Sequence, residues 1–250
     1  MLVLLPPSEG KATGGHGPAL ALDQLSFPAL TPVRARVVDA VQRAAREHPE
    51  ALRQALGLSP AQTGLLADDA ALTTSPTLPA LERYTGVVYE NLGYRTLAGA
   101  ARRRADRALV VASALFGLLR PADRVPAYRL SGTTAVPGVG GLAALWRPAA
   151  EPLLADHRLV VDLRSGAYAA LARAPHAVSV RVLRESGGRR SVVSHDNKWT
   201  KGRLARALCE HGARSLDDVA EIGRTCADDV EVDGRRVDLV LHGLASARPR

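Results

Sequence analysis

The chain reads as one mixed α/β (α+β) domain, residues 1–250, with a central mixed sheet flanked by helices. Three observations predict it. Short Leu- and Val-rich runs alternate with longer segments of helical periodicity. The 46% apolar content, mostly Ala, Leu and Val, is enough for a core. No low-complexity linker or internal repeat divides the 250 residues.

The elements follow in order. Leu2–Leu5 is a buried strand that empties into a Gly-rich loop from Pro6 to Pro18. Thr31 and Pro32 open a helix whose apolar positions are Val33, Val37, Ala40, Val41 and Ala44. Ser59-Pro60 repeats that entry signal, and Leu81–Leu92 and Thr96–Arg104 read as helices. Ala108–Ala114 and Leu159–Leu163 are buried strands. Ala177–Leu183 and Arg190–Ser194 form a hairpin through Gly187-Gly188. Helices are expected over 199–211 and 215–222. A last hairpin pairs Asp229–Val232 with Arg235–Leu241 across Asp233-Gly234, a type I′ turn signal.

The basic residues number thirty-three, and only Lys11, Lys198 and Lys201 are lysine. Where arginine serves almost everywhere, the remaining lysines are candidates for chemistry that a guanidinium cannot perform, since an ammonium can lose its proton when desolvated. The net charge of +8 and a pI near 10.2 point to acidic partners: nucleic acid, nucleotides or phosphorylated metabolites. Between residues 95 and 130, eight arginines face two aspartates, so +6 of the +8 sits in about a seventh of the chain. Aromatics are only 4%, too few for a stacking platform for single strands. Cys209 and Cys226 make neither a disulfide framework nor a metal-spaced pair. The apolar start stops at Pro6, and no run reaches membrane-spanning length. A cytoplasmic protein with no membrane partner is expected.

Four constellations could carry chemistry. Pro6–Gly17 follows the first strand, where open α/β sheets bind ligands. It is not a Walker A loop, because Ala12 stands where a Mg²⁺-holding Ser or Thr belongs. Ser8, Glu9 and Lys11 could hold an anionic or sugar-like ligand, or simply form a turn. Ala112–Leu130 joins a buried strand to an Arg- and Pro-rich loop carrying Ser113, Arg120, Arg124, Tyr128 and Arg129. Pro121 extends the backbone at Arg120, Asp123 reads as a structural partner, and Tyr128-Arg129 offers a stacking face beside a phosphate-reading fork. In Asp162–Tyr168, Ser165 reads as a helix cap rather than a nucleophile. Ser194–Arg203 gathers His195, Asn197, Lys198, Lys201 and Arg203 between a strand and a basic helix. Adjacent His195 and Asp196 on a strand end would point to opposite faces, and no third ligand is spaced to help. No metal site and no cofactor are expected.

These segments resemble the YaaA family of bacterial peroxide-stress proteins. Ser113–Leu130 is similar to the family's Leu-Ser-Gly-Leu-Tyr-Gly-Val-Leu-Arg-Pro-Leu-Asp followed by Pro-Tyr-Arg-Leu. Leu4–Lys11 resembles its Pro-Pro-Ser-Glu-Gly-Lys start, and Tyr84-Thr85-Gly86 its Tyr-x-Gly. Asp162–Tyr168 resembles its Asn-Leu-Ala-Ser-x-Glu-Tyr, with Asp162 for the asparagine and Ala167 for the glutamate. Lys198–Arg203 resembles its Lys-Lys-x-Arg-Gly, and Ser131-Gly132 replaces its Glu-Met. If the missing glutamate is catalytic in relatives, this chain binds without that chemistry or uses Asp162 or Glu9.

The resemblance implies a protein that limits peroxide damage, linked to lowered free iron and protected DNA, with a helix-hairpin-helix element and a positively charged cleft. Residues 201–222 are the candidate element: a helix to Glu210, a turn through Gly212, and a second helix that Ser215 and Asp218 can cap. Two functions are open. One is nonspecific binding of duplex or junction DNA through phosphate contacts from Arg102–Arg107, Lys198, Lys201, Arg203 and Arg206, with Gly212 allowing close approach. The other is an enzyme or binder for an anionic small molecule, a nucleotide or phosphorylated sugar. Its cleft would gather Ser8, Lys11, Ser113, Arg120, Tyr128, Arg129, Ser165 and Lys198, with Lys11, Ser8, Lys198 and Ser165 as the catalytic candidates. The scattered histidines build no di-iron site, so any effect on iron is indirect.

Overall fold

A computed structural model describes residues 1–243. Leu2–Leu5 (β1) buries all four side chains almost completely. At roughly 1.5–3 kcal/mol per large apolar side chain, a strand of this kind belongs at the centre of a sheet. The first helices are Thr31–Glu47 (α1), Pro49–Ala55 (α2) and Leu66–Ala70 (α3). Leu78–Pro79 (β2), Ala80–Arg83 (α4), Val87–Leu92 (α5) and Gly99–Ala108 (α6) lead to Leu109–Ser113 (β3) and Gly117–Leu119 (β4). Arg124–Val125 (β5) pairs with β2, and Ala135–Val136 (β6) with Gly140–Gly141 (β7). Leu142–Ala155 (α7), Val160–Asp162 (β8) and Gly166–Ala169 (α8) follow. Val178–Ser186 (β9) and Arg189–Ser191 (β10) precede Ser194–His211 (α9), Leu216–Gly223 (α10), Asp229–Asp233 (β11) and Arg236–His242 (β12).

The main sheet has eight strands in the order β11-β12-β9-β8-β1-β3-β4, with β10 paired to β9. Five neighbours, β12, β9, β8, β1 and β3, run parallel, and the hairpin partners β4, β10 and β11 run antiparallel. Leu4 of β1 registers with Val110 on one side and Asp162 on the other. The chain leaves β1 for β3 and later returns to its other flank as β8. β1 is therefore the point at which the strand order reverses, and a crevice is expected outside its carboxyl end. The mixed α/β single domain is as the sequence predicts.

The helices pack in two groups. α1 contacts α2, α3 and α7, while α9 contacts α5, α6, α10 and β9. Buried Arg34 of α1 donates to the carbonyls of Phe116 (2.9 Å) and Leu118 (2.7 Å) in the β3–β4 hairpin, and to Ser26 O (2.7 Å) in the loop before α1. Gly117 in that turn has φ +68°, and a Cβ there would meet the ring of Trp146.

Four local expectations change. The single helix expected over Leu81–Leu92 is two, α4 and α5. Between them Tyr84 is extended and bridges Lys11, Thr85 N–H donates to Gly10 O (3.3 Å), and Gly86 takes φ +96°. No element is predicted over 131–158, yet α7 lies there with Pro148 and Pro152 inside it. Leu142, Trp146, Ala150 and Leu154 form its buried i, i+4 stripe, while both prolines are exposed, where water can replace the missing amide bonds. The helix expected from residue 199 begins at Ser194, so His195 and Asp196 lie in its first turn and not on a strand end. Asp196 pairs there with Arg184 of β9 at 2.7 Å. The hairpin strand expected over Arg190–Ser194 is the shorter β10.

Candidate functional site

Lys11 lies just beyond the carboxyl end of β1, and its amine is packed over the Tyr128 ring, 4.2 Å from the centroid, with the Tyr84 ring at 5.8 Å. Nζ donates to Ser8 O at 3.1 Å and Glu9 O at 3.4 Å. Burial is the main cause that lowers the Lys11 pKa to about 8, with the Arg129 charge second. Asp69, on α3, is fully buried. Its Oδ1 accepts from Arg129 N at 2.8 Å, whereas its Oδ2 has no hydrogen-bond partner. Burial raises the Asp69 pKa to about 7, partly opposed by the Arg129 amide and the Lys11 charge. An amine and a carboxyl group that interact are thus both pushed toward their neutral forms near neutral pH.

A chain of hydroxyls adjoins them. Ser113, the last residue of β3, accepts from the amides of Leu115 (3.1 Å) and Phe116 (3.0 Å). Both of its lone pairs are then committed, so its own proton goes to the Tyr128 hydroxyl at 2.7 Å. Tyr128 in turn bonds to the Tyr84 hydroxyl at 2.8 Å, and Tyr84 also interacts with Ser113, so the three hydroxyls form one cluster. Burial raises the pKa of both tyrosines, so both stay protonated. Arg129 donates to Glu9 O at 2.9 Å and ties the Gly-rich loop to the Tyr128-Arg129 segment.

The structure brings together Ser8, Lys11, Ser113, Tyr128 and Arg129 of the residues singled out in the sequence. Ser8 accepts from Thr85 N at 3.1 Å and holds the loop turn. Arg120 is elsewhere: it follows β4, which runs back toward the amino edge, and donates to Arg107 O at 2.5 Å. Arg124 is exposed next to Gly17. Asp123 holds a turn through Ser26 N, Ser26 Oγ and Arg120 N, the structural role expected of it. Ser165 occupies the cap position of α8, but its side chain makes no cap bond. Asp162 is committed to Arg164 through both oxygens, at 2.8 and 2.7 Å.

On α9, Lys198 is exposed and Lys201 is buried, donating to Arg164 O at 3.4 Å. Arg203 stacks on Trp199 at 4.6 Å, and Arg206 reaches Thr96 Oγ1 at 2.9 Å and Glu210 at 2.9 Å. Gly212 ends α9 at φ +78° against the Arg104 side chain, which donates to the carbonyls of Cys209 (2.7 Å) and Glu210. Ser215 and Asp218 form a capping box at the start of α10, as expected. Around this turn is a hollow of about 790 Å³ lined by Arg104, Arg107, His157, His211, Gly212 and Arg214. Met1 and Leu2 also line it, so it opens at the amino edge, away from Lys11. Asp218 is its acidic member, and that carboxylate accepts from the Arg214 amide (2.7 Å) and the Ser215 amide (3.2 Å).

Sequence reasoning missed Asp69, His157 and Arg214. Asp69 has no spacing to Lys11 that could reveal it. Tyr84 was visible only as part of a motif, with no sign of its hydroxyl cluster. Among the described residues, no group of three or more His, Cys, Asp or Glu is placed to hold a metal ion, and no helix is long and apolar enough to cross a membrane.

Fold and site define an α/β protein with a desolvated lysine at the carboxyl edge of its sheet and an arginine-lined hollow at the amino edge. A family profile described as "Peroxide stress protein YaaA" matches residues 1–226. A UPF0246 protein of Streptomyces coelicolor is 41% identical over 97% of this chain and 99% of its own length. One from Corynebacterium efficiens is 42% identical over 96% and 99%, and one from Lactobacillus delbrueckii 31% over 67% and 73%. The chain belongs to the YaaA family of peroxide stress proteins.

Proposed function

We propose that the protein acts in the cytoplasm against peroxide damage by binding DNA through its phosphates, largely without sequence specificity, in the hollow at the amino edge. The observation that carries this reading is the gathering of Arg104, Arg107, Arg214 and two histidines around the turn between α9 and α10. This turn would be the working part of a helix-hairpin-helix element. Arg104 braces it from below, and Arg107 and Arg214 are exposed for phosphate contact. The expected α9 contributors fit less well: Lys201 is buried, and Arg203 and Arg206 already have partners within the chain. Of these, Lys198 remains available at the far end of the helix. A salt titration of binding to duplex and junction DNA tests the reading. Each neutralised phosphate contributes about −0.9 to the log–log slope. A response flat in salt would remove the proposal.

A second reading is an anionic small-molecule site at the carboxyl edge. It is favoured by the buried, unpartnered Oδ2 of Asp69 in a cluster that also holds Lys11 and Arg129. A polar atom left in this state costs about 1–3 kcal/mol, a cost that a ligand can offset.

A further inference from the structure

We propose that Lys11 forms an imine with a small carbonyl compound that carries an anionic group, bound at the carboxyl end of β1. The inference rests on the second reading above and adds the class of substrate and the bond formed.

Four features of the site support it. First, Lys11 Nζ donates to two backbone carbonyls, Ser8 O and Glu9 O. A neutral amine has two N–H groups and one lone pair, so these contacts use both hydrogens and leave the lone pair for attack. Second, the neutral form is accessible at physiological pH because burial lowers the Lys11 pKa to about 8. Third, Asp69 lies close enough to act on that charge and keeps one oxygen unpartnered. Fourth, the Tyr128 and Tyr84 rings wall the amine, and the hydrogen bonds among their hydroxyls and Ser113 fix those rings. A carboxyl group close to a nucleophilic amine can carry the proton transfers of carbonyl addition and dehydration. Arg129, whose amide holds Asp69 and whose guanidinium holds the loop, supplies the positive charge for the anionic group.

The step balances without a redox partner. The Lys11 lone pair attacks the carbonyl carbon to form a C–N bond, and the π pair moves to oxygen. Protonated Asp69 gives its proton to that oxygen, and the carboxylate so formed takes one proton from the nitrogen, giving a neutral carbinolamine. Asp69 returns this proton to the hydroxyl, which leaves as water while the nitrogen lone pair forms the C=N bond, and the iminium N–H proton passes back to the Asp69 carboxylate. The products are one imine and one water, with Asp69 in its starting form.

Reductive trapping tests this directly. The full-length protein is incubated at pH 7.5 with glyoxylate and sodium cyanoborohydride, and the modified lysine is located by peptide mass spectrometry. Lys198, exposed on α9, is the internal comparison for an amine in open solvent. The expected result is saturable labelling at Lys11, at least about tenfold faster than at Lys198. Asp69→Asn should slow trapping about tenfold, and calorimetry of the parent protein with oxalate, an anion that forms no imine, reads the anion site separately. Labelling at Lys11 no faster than at Lys198 would overturn the proposal. If oxalate still bound in that case, the anion site would stand and the imine alone would fall; if it did not, both would fall.

Discussion

Asp69 and Lys11 make the stability of this protein depend on pH in opposite directions. The Asp69 pKa is raised from 3.8 to about 7, so the folded state holds a proton that the unfolded chain releases. Its stabilising contribution is complete below about pH 4 and is lost as pH rises through 7. The Lys11 pKa is lowered from 10.5 to about 8, so its cost is present at low pH and is relieved as pH rises from 8 to 10.5. Urea unfolding should therefore show falling stability from pH 5 to 7.5. Asp69→Asn, a neutral isostere that can still accept from Arg129 N, should flatten that fall by on the order of 2 kcal/mol. An unchanged pH dependence in the variant would mean that Asp69 is not protonated in the folded state. Ser113 offers a second test. Ser113→Ala removes the acceptor for two amides and should cost about 2–3 kcal/mol, whereas Tyr128→Phe removes one hydroxyl and should cost about 1 kcal/mol. Lys11, Ser113, Tyr128 and Arg129 were legible in the sequence because strand ends mark where a sheet presents its side chains. Asp69 was not, because only tertiary packing brings α3 under the Tyr128-Arg129 segment.

At the scale of the elements, the helical hairpin rests on two local devices. The Ser215 hydroxyl accepts from Asp218 N at 3.1 Å, and Ser215→Ala should destabilise α10 by about 1 kcal/mol. Gly212 combines φ +78° with contact to Arg104, so Gly212→Ala should cost about 2 kcal/mol and loosen the turn. Hydrogen exchange at the α10 amides would report both changes, and protection unaltered in either variant would contradict the assigned role. The cap and the glycine were readable because their chemistry is local. The break between α4 and α5 was less so: apolar periodicity runs through it, and what interrupts the helix is the pairing of Tyr84 with the distant Lys11. α7 was hidden for the opposite reason. Its two prolines signal a loop, but both fall on the solvent side of a helix anchored by Trp146, whose Nε1 donates to Ala114 O at 2.8 Å.

Over the whole molecule, the candidate cations do not share one hollow. The lysine–tyrosine cluster lies at the carboxyl edge of the parallel strands, and the arginines of α6 and the α9–α10 turn lie at the amino edge. The sequence could place residues at strand ends but not decide which edge Arg120 would reach, since that depends on β4 turning back along β3. Two candidate sites therefore stand where the sequence suggested one basic surface. The most direct measurement compares duplex DNA affinity, at one salt concentration, for an Arg107→Glu/Arg214→Glu double variant and for Lys11→Met. The account predicts that the double reversal weakens binding by at least about tenfold and reduces the salt slope, while Lys11→Met binds as the parent does. Equal loss in both, or loss only in Lys11→Met, would contradict it.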